Sequence, residues 1–260
     1  LLPGAGEVKA MRVWTWFACG KHPVAADFFH IGRESAMGSS FCRWAQAGFE
    51  KAVHKDGKCR PFHSWRFWAR GNGRNELFLG LLRDSSDSRG RQYPLIILGF
   101  GALTGWTDSW QHLPQACDSV WQSIERISAS RMRAISDFEQ HLDSIRPPRD
   151  LDFLAGQLAD RQHDELQHTA QGIALERITS NLIKEDVRPL LTFRISGQAG
   201  DEDPLLAMTA AHHELHSALR GRIPHIVFIG GTPRTMLLVC SLRSLTPMDF
   251  LWLWSVTDIE

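Results

Sequence analysis

Two stretches concentrate the side chains that could do chemistry. In Asp87-Ser88-Arg89-Gly90-Arg91-Gln92-Tyr93-Pro94-Leu95 one carboxylate and two guanidinium groups stand within five residues, at the mouth of an apolar run over 96–100. Asp87, Arg89 and Arg91 can pair with one another or hold something else, and the residues alone do not choose. In Ala211-His212-His213-Glu214-Leu215-His216, His212 and His216 are four apart and share a helix face, a spacing that suits zinc ligands. The metalloprotease motif, however, needs glutamate directly after the first histidine and the second histidine three beyond it, whereas His216 comes two after Glu214. A small metal-dependent hydrolase would require His212, His216 and a carboxylate such as Glu214 or Asp201 to converge; a solvated helix flank is the stronger reading. His163 and His168, five apart, fit a ligand pair less well.

Other chemistry finds less support. Gly230-Gly231-Thr232-Pro233-Arg234 lacks the Gly-Lys-Ser/Thr ending of a P-loop and lies between two strand patterns, so it reads as a hairpin turn. Gly20-Lys21 has no preceding glycine at Walker spacing. No Gly-x-Ser-x-Gly elbow is present, and no cysteine has a histidine neighbour that would mark it as activated. These readings lead to no catalytic residue, no cofactor and no metal.

Composition narrows the classes further. Lysine plus arginine equals aspartate plus glutamate at 29 each, which disfavours a nucleic-acid partner. The five cysteines (Cys19, Cys42, Cys59, Cys117, Cys240) are widely spaced and form no Cys-x-x-Cys, so reduced, mostly buried thiols in a cytoplasmic protein are expected. No apolar run reaches membrane-spanning length; 250–254 is far too short. Met11 reads as a native start, with no secretory leader before it. Ten tryptophans against one tyrosine point to a core or interface built on indoles.

The elements that must position these residues follow from periodicity. A first strand over 12–18 runs into a turn at Gly20-Lys21-His22-Pro23, then a tight aromatic-anchored segment over 25–29. Apolar residues at spacings near three and four make a helix over 39–53, with Ser39 or Ser40 as its cap. Strands over 62–69, 77–82 and 93–100, the first two joined by Gly71-Asn72-Gly73, make an antiparallel meander. A long amphipathic helix over 114–145 breaks near Ser128-Ala129-Ser130 and stops at Pro147-Pro148. A short apolar group over 151–158 and a helix over 165–183 follow. After them come a strand over 188–195, a helix over 204–219, a hairpin over 225–229 and 235–240, and a helix opening at Thr246-Pro247. Strands, helices, then strands again argue for an α+β fold rather than a parallel doubly wound sheet. The expected organisation is an N-terminal unit over 11–148 and a C-terminal α+β part over 149–260, packed together or separate.

Two stretches read together carry a resemblance. The segment Phe17-Ala18-Cys19-Gly20-Lys21-His22-Pro23-Val24-Ala25-Ala26-Asp27-Phe28 resembles the phenylalanine, glycine-lysine, x-proline, glycine-aspartate-phenylalanine opening of the TagF/ImpM family of type VI secretion accessory proteins. Asp87 to Leu95 is similar to that family's Asp-x-x-Gly-Arg-x-aromatic-Pro-Leu signature. Trp65 and Trp68 on the strand before Leu77, and the C-terminal hairpin and aromatic-rich helix, add to the likeness. Ala26 stands where the family has glycine, and two residues separate Phe17 from Gly20 where the family usually has none.

The resemblance implies a longin-like antiparallel sheet flanked by helices, no enzyme activity and no cofactor. It also implies post-translational repression of type VI secretion by binding the cluster's forkhead-associated scaffold protein. A structural module of the secretion machinery is the alternative. The motif residues Gly20, Lys21, Pro23, Asp27, Phe28, Asp87, Gly90, Arg91, Tyr93 and Pro94 then have two readings. They pin two loops together by charge-assisted hydrogen bonds, or they form the edge a partner touches. Trp106, Trp110 and Trp121, with Arg126, are candidates for an exposed interface or for the core.

Overall fold

The computed structural model describes residues 14–53, 62–151, 174–177, 190–196 and 203–256. A hairpin of β1 (Thr15–Gly20) and β2 (Phe29–Gly32) leads into helix α1 (Ala36–Val53). Strands β3 (Ser64–Arg70), β4 (Glu76–Arg83) and β5 (Leu95–Ala102) form the meander, followed by a 3-10 turn (Trp110–His112) and helices α2 (Leu113–Ala129) and α3 (Ile135–Asp143). Then come β6 (Ala174–Arg177), β7 (Leu191–Ser196), α4 (Pro204–Ala218), β8 (Ile226–Thr232), β9 (Thr235–Ser241) and α5 (Pro247–Ser255).

The nine strands lie in one sheet, in the order β2-β1-β5-β4-β3-β8-β9-β7-β6, and every pairing is antiparallel. The period-2 pleat sends alternate side chains to opposite faces. On β4, Leu77, Leu79 and Leu81 enter one core with α2, α3 and α4, while Phe78 and Leu82 enter the other with α1 and α5. Both faces are therefore dry, which is why the central strands read as nearly continuous apolar runs rather than alternating ones. The antiparallel α+β expectation holds, with further strands and helices after residue 149.

Several local expectations are refined. The helix over 114–145 divides where anticipated: Ser130 takes an extended conformation after α2, and α3 starts at Ile135. Helix α1 starts earlier than expected because Ser35 is the residue whose hydroxyl oxygen accepts from the Gly38 N–H at 3.1 Å. Ser39 and Ser40 instead donate back to the carbonyls four residues earlier, as serines inside a helix do. The helix expected over 165–183 is corrected at Ala174–Arg177, which pair with β7 in an antiparallel ladder. A free strand edge satisfies backbone groups that local helical spacing cannot anticipate. The rest of that segment, the 151–158 group beyond Leu151, Asp201 and Cys59 lie outside the described residues.

The cysteine expectation needs a second correction. Cys19 on β1 and Cys42 on α1 form a disulfide, because α1 lies across the face to which Cys19 points. Two cysteines 23 residues apart carry no local sign of this. Cys117 and Cys240 are buried free thiols, and burial pushes both upward, Cys240 to about 12.

Candidate functional site

The motif residues meet where the β1–β2 loop touches the β4–β5 loop. Gly20 ends β1 opposite Leu95, and with φ +122° it has no Cβ to strike the Pro94 carbonyl, which a methyl group would meet at 2.1 Å. Glycine and proline of two distant motifs are therefore one packing unit. Beyond them the chain from Ser85 to Tyr93 folds back on itself, tied by Tyr93 N–H to the Ser85 carbonyl and by Gly90, whose φ of +76° closes the turn.

Asp87 is the centre of this loop, its side chain fully buried. Its Oδ1 accepts from the backbone N–H groups of Arg89 and Arg91, each at 3.0 Å. Oδ2 receives the Arg91 Nε–H at 2.8 Å and the Lys21 ammonium at 3.1 Å. Burial by itself would raise the carboxyl; the backbone donor of Arg91, then Lys21, the Arg89 backbone and the Arg91 side chain outweigh it and hold Asp87 well below the ordinary carboxylate range. Arg91 also donates to the Ala26 carbonyl at 2.9 Å and pairs with exposed Asp27 at 3.2 Å, while Ser88 N–H reaches the Ala25 carbonyl. Asp27 is lowered too, first by the Phe28 backbone N–H and then by Arg91.

The cluster has a hydrophobic flank. Phe28 is 48% exposed and stands edge-on to Tyr93 with centroids 5.4 Å apart. Tyr93 in turn meets Phe49 of α1 at 5.0 Å. Burial and nearby Glu50 raise the Tyr93 phenol to about 12, so it stays neutral. Phe49 was not singled out from the sequence. The available signal is that Phe49 lies seven residues after Cys42, which puts both on one face of α1. Pro23 is exposed on the same loop, and Pro94 is buried beneath it.

The other sequence candidates fall elsewhere. Trp106, Trp110 and Trp121 are wholly buried on the opposite face of the sheet, so they belong to the core, and of that group Arg126 alone reaches solvent. Trp121 donates its indole N–H to the Gly80 carbonyl at 3.2 Å. His212 lies among these tryptophans. Its Nε2 accepts from the Trp68 indole at 3.1 Å, leaving Nδ1 to donate to the Met208 carbonyl at 2.9 Å. Both ring nitrogens are thus engaged, and burial lowers His212 to about 4. His213, facing His112 at 4.8 Å, is lowered to about 4 as well, by burial first and then by His112 and His216. Among the described residues no group of three or more His, Cys, Asp or Glu is placed to hold a metal ion.

The motif loops offer an ionic anchor whose groups satisfy one another and an aromatic flank left partly in water. Residues 17–146 match the family model of the TagF N-terminal domain, type VI secretion system-associated. The chain is also similar to the crystal structure of PA0076 from Pseudomonas aeruginosa PAO1. That likeness has a TM-score of 0.53 at 15% identity and covers 92% of this chain and 93% of the other, which shows a shared fold. No curated protein matches the chain.

Proposed function

The chain belongs to the TagF family of type VI secretion-associated proteins, and on that premise we propose that it is a non-catalytic repressor acting after translation by binding the forkhead-associated scaffold of the secretion cluster. The observation that carries the binding reading is the Phe28–Tyr93–Phe49 row beside Asp27 and Arg91. Aromatic side chains fixed by their neighbours and rimmed by charge supply contact area at small entropic cost, the make-up of interface anchors. The buried ion cluster then serves to hold that row in shape, and Phe28, Tyr93 and Arg91 make the contact.

The strand order β2-β1-β5-β4-β3, with α1 on one face and α2 and α3 on the other, supports reading residues 11–148 as a longin-like unit. Strands β8, β9, β7 and β6 extend the sheet from β3. The cytoplasm is the compartment this role requires, and no helix among the described residues is long and apolar enough to cross a membrane.

The test is a pull-down with the tagged full chain from cells expressing a type VI cluster. Recovery of the forkhead-associated protein, and its loss with Phe28→Asp in a chain that still folds, is the expected result. A folded chain that retains no cluster component would sink the scaffold reading. Retention by Phe28→Asp equal to the parent would move the interface away from this face.

A further inference from the structure

The turn between α2 and α3 is an arginine elbow. From Arg126 to Ser136 the chain holds three arginines, Arg126, Arg131 and Arg133, and no carboxylate. All three side chains are exposed. The acids that flank the elbow are engaged elsewhere: Glu125 gives both oxygens to Arg66, and Asp137 Oδ2 accepts the backbone N–H groups of Arg133 and Ala134. Arg66, Arg91 and Arg243 each have a carboxylate partner, whereas these three guanidinium groups form no ion pair among the described residues. Arg126 has a local reason for its place, since a cation in the last turn complements the carbonyl end of α2. Arg131 and Arg133 lie beyond that helix and have no such reason.

The elbow is held firmly from behind. Buried Ser128 accepts from Arg83 Nη1 at 2.6 Å and donates to the Glu125 carbonyl at 2.8 Å. Ser130 donates its N–H to the Ile127 carbonyl at 3.2 Å and its hydroxyl to the Arg126 carbonyl at 2.6 Å, then turns extended with ψ 140°. Beyond it burial alternates: Arg131 is exposed, Met132 packs against the first core and Arg133 is exposed again. The two arginines therefore share the outward side, as alternate residues of an extended chain do. Two residues further on, Ile135 is 37% exposed and adds an apolar rim.

We propose that this elbow docks an acidic segment of a protein partner, lying extended with aspartate or glutamate at every second position. Extended residues two apart are about 6.7 Å apart on either chain, so Arg131 and Arg133 meet such carboxylates in register. A guanidinium fork takes a carboxylate through two parallel hydrogen bonds, and a backbone fixed beforehand loses little freedom on docking. An anionic bilayer fits less well, because it calls for a cluster of about four to eight cations. Exposed Glu139 and Asp143 on the adjoining α3 would also be repelled by it. This surface is separate from the Phe28 row and does not depend on the scaffold reading.

The test titrates the full chain at low ionic strength into a fluorescein-labelled peptide of alternating glutamate and serine. A block peptide of the same composition and vesicles of phosphatidylcholine with phosphatidylserine serve as the competing probes. The expected result is binding of the alternating peptide, about fivefold weaker binding of the block peptide and no retention on vesicles. Arg131→Glu combined with Arg133→Glu should weaken the alternating peptide by about tenfold or more with an unchanged urea midpoint. Arg131→Gln with Arg133→Gln should weaken it as well, which ties the loss to the missing cations rather than to added repulsion. Equal binding by parent and variants, or no binding by the parent, overturns the proposal. Equal binding of the two peptides overturns the extended register, and binding to vesicles in place of peptide assigns the elbow to a membrane surface instead.

Discussion

The Asp87 loop and the His212 helix solve the burial of an ionisable group in opposite ways. Asp87 keeps its charge because two backbone N–H groups, a lysine and an arginine converge on one carboxylate. His212 gives up its charge because its surroundings are indoles and a carbonyl, with one donor and one acceptor matched to the neutral ring. The difference lies in what each can still do. A carboxylate saturated by its own loops is an anchor, and a histidine with both nitrogens engaged has neither a lone pair for a metal nor a proton for an acid. Both clusters are satisfied by their own neighbours, whereas the row of Phe28, Tyr93 and Phe49 is left partly in water.

The contrast can be broken most severely at Asp87. Asp87→Ala leaves the Lys21 ammonium and two backbone donors facing a void, so its urea midpoint should fall further than that of any other single polar substitution named here. A midpoint equal to the parent's would show that the loops do not depend on the anchor.

Acid should then separate the two regions. The folded His212 lies near 4, below the ordinary value of 6.5. Between those limits the unfolded chain binds the extra proton, so stability is complete above about pH 6.5 and falls as the pH drops toward 4, by about 3 kcal/mol for this residue. Asp87 contributes in a lower window, its stabilisation being present above the ordinary carboxylate pKa and lost as the pH falls below it. His212→Leu should cost about 1–3 kcal/mol at neutral pH through the stranded Trp68 N–H, yet flatten the upper window. His213 retains a residual slope there. An unaltered pH profile in His212→Leu would assign the acid response elsewhere.

Smaller effects sharpen the picture. Arg91→Ala removes one of four donors to Asp87 from a half-exposed side chain, and its thermal midpoint should move much less than that of Asp87→Ala. Asp27→Ala, at a carboxylate 71% exposed, should leave the midpoint within experimental error. A large loss from Asp27→Ala would place the anchor at Asp27 rather than Asp87.

Much of this was legible beforehand because it is local. The meander, the break near Ser130 and the turn before Thr235 are written in alternation, helical spacing and turn residues over windows of a few residues. The two motifs could be read as loops that belong together, since a buried aspartate needs cations and Lys21 and Arg91 stand in the right stretches. What escaped is long-range. The exposure of Trp106, Trp110 and Trp121 depends on which sheet face α2 and α4 cover, and the Cys19–Cys42 pairing depends on where α1 crosses β1. The strand at Ala174–Arg177 exists because β7 offers an edge, a fact recorded nowhere in its own four residues.

The junction of β3 with β8 has a consequence for the chain's synthesis. Phe67 takes Phe228 as its strand partner, so one edge of the meander stays bare until the C-terminal hairpin has left the ribosome. Until then the nascent chain presents an open row of backbone donors and acceptors on a flat, tryptophan-bearing strand, a template for pairing with its neighbours on a polysome. A fragment cut to the family-matched residues 17–146 would carry that bare edge permanently. It should need a chaperone or a fused strand to remain monomeric, and full-length chain should gain its protection only in the last step of folding.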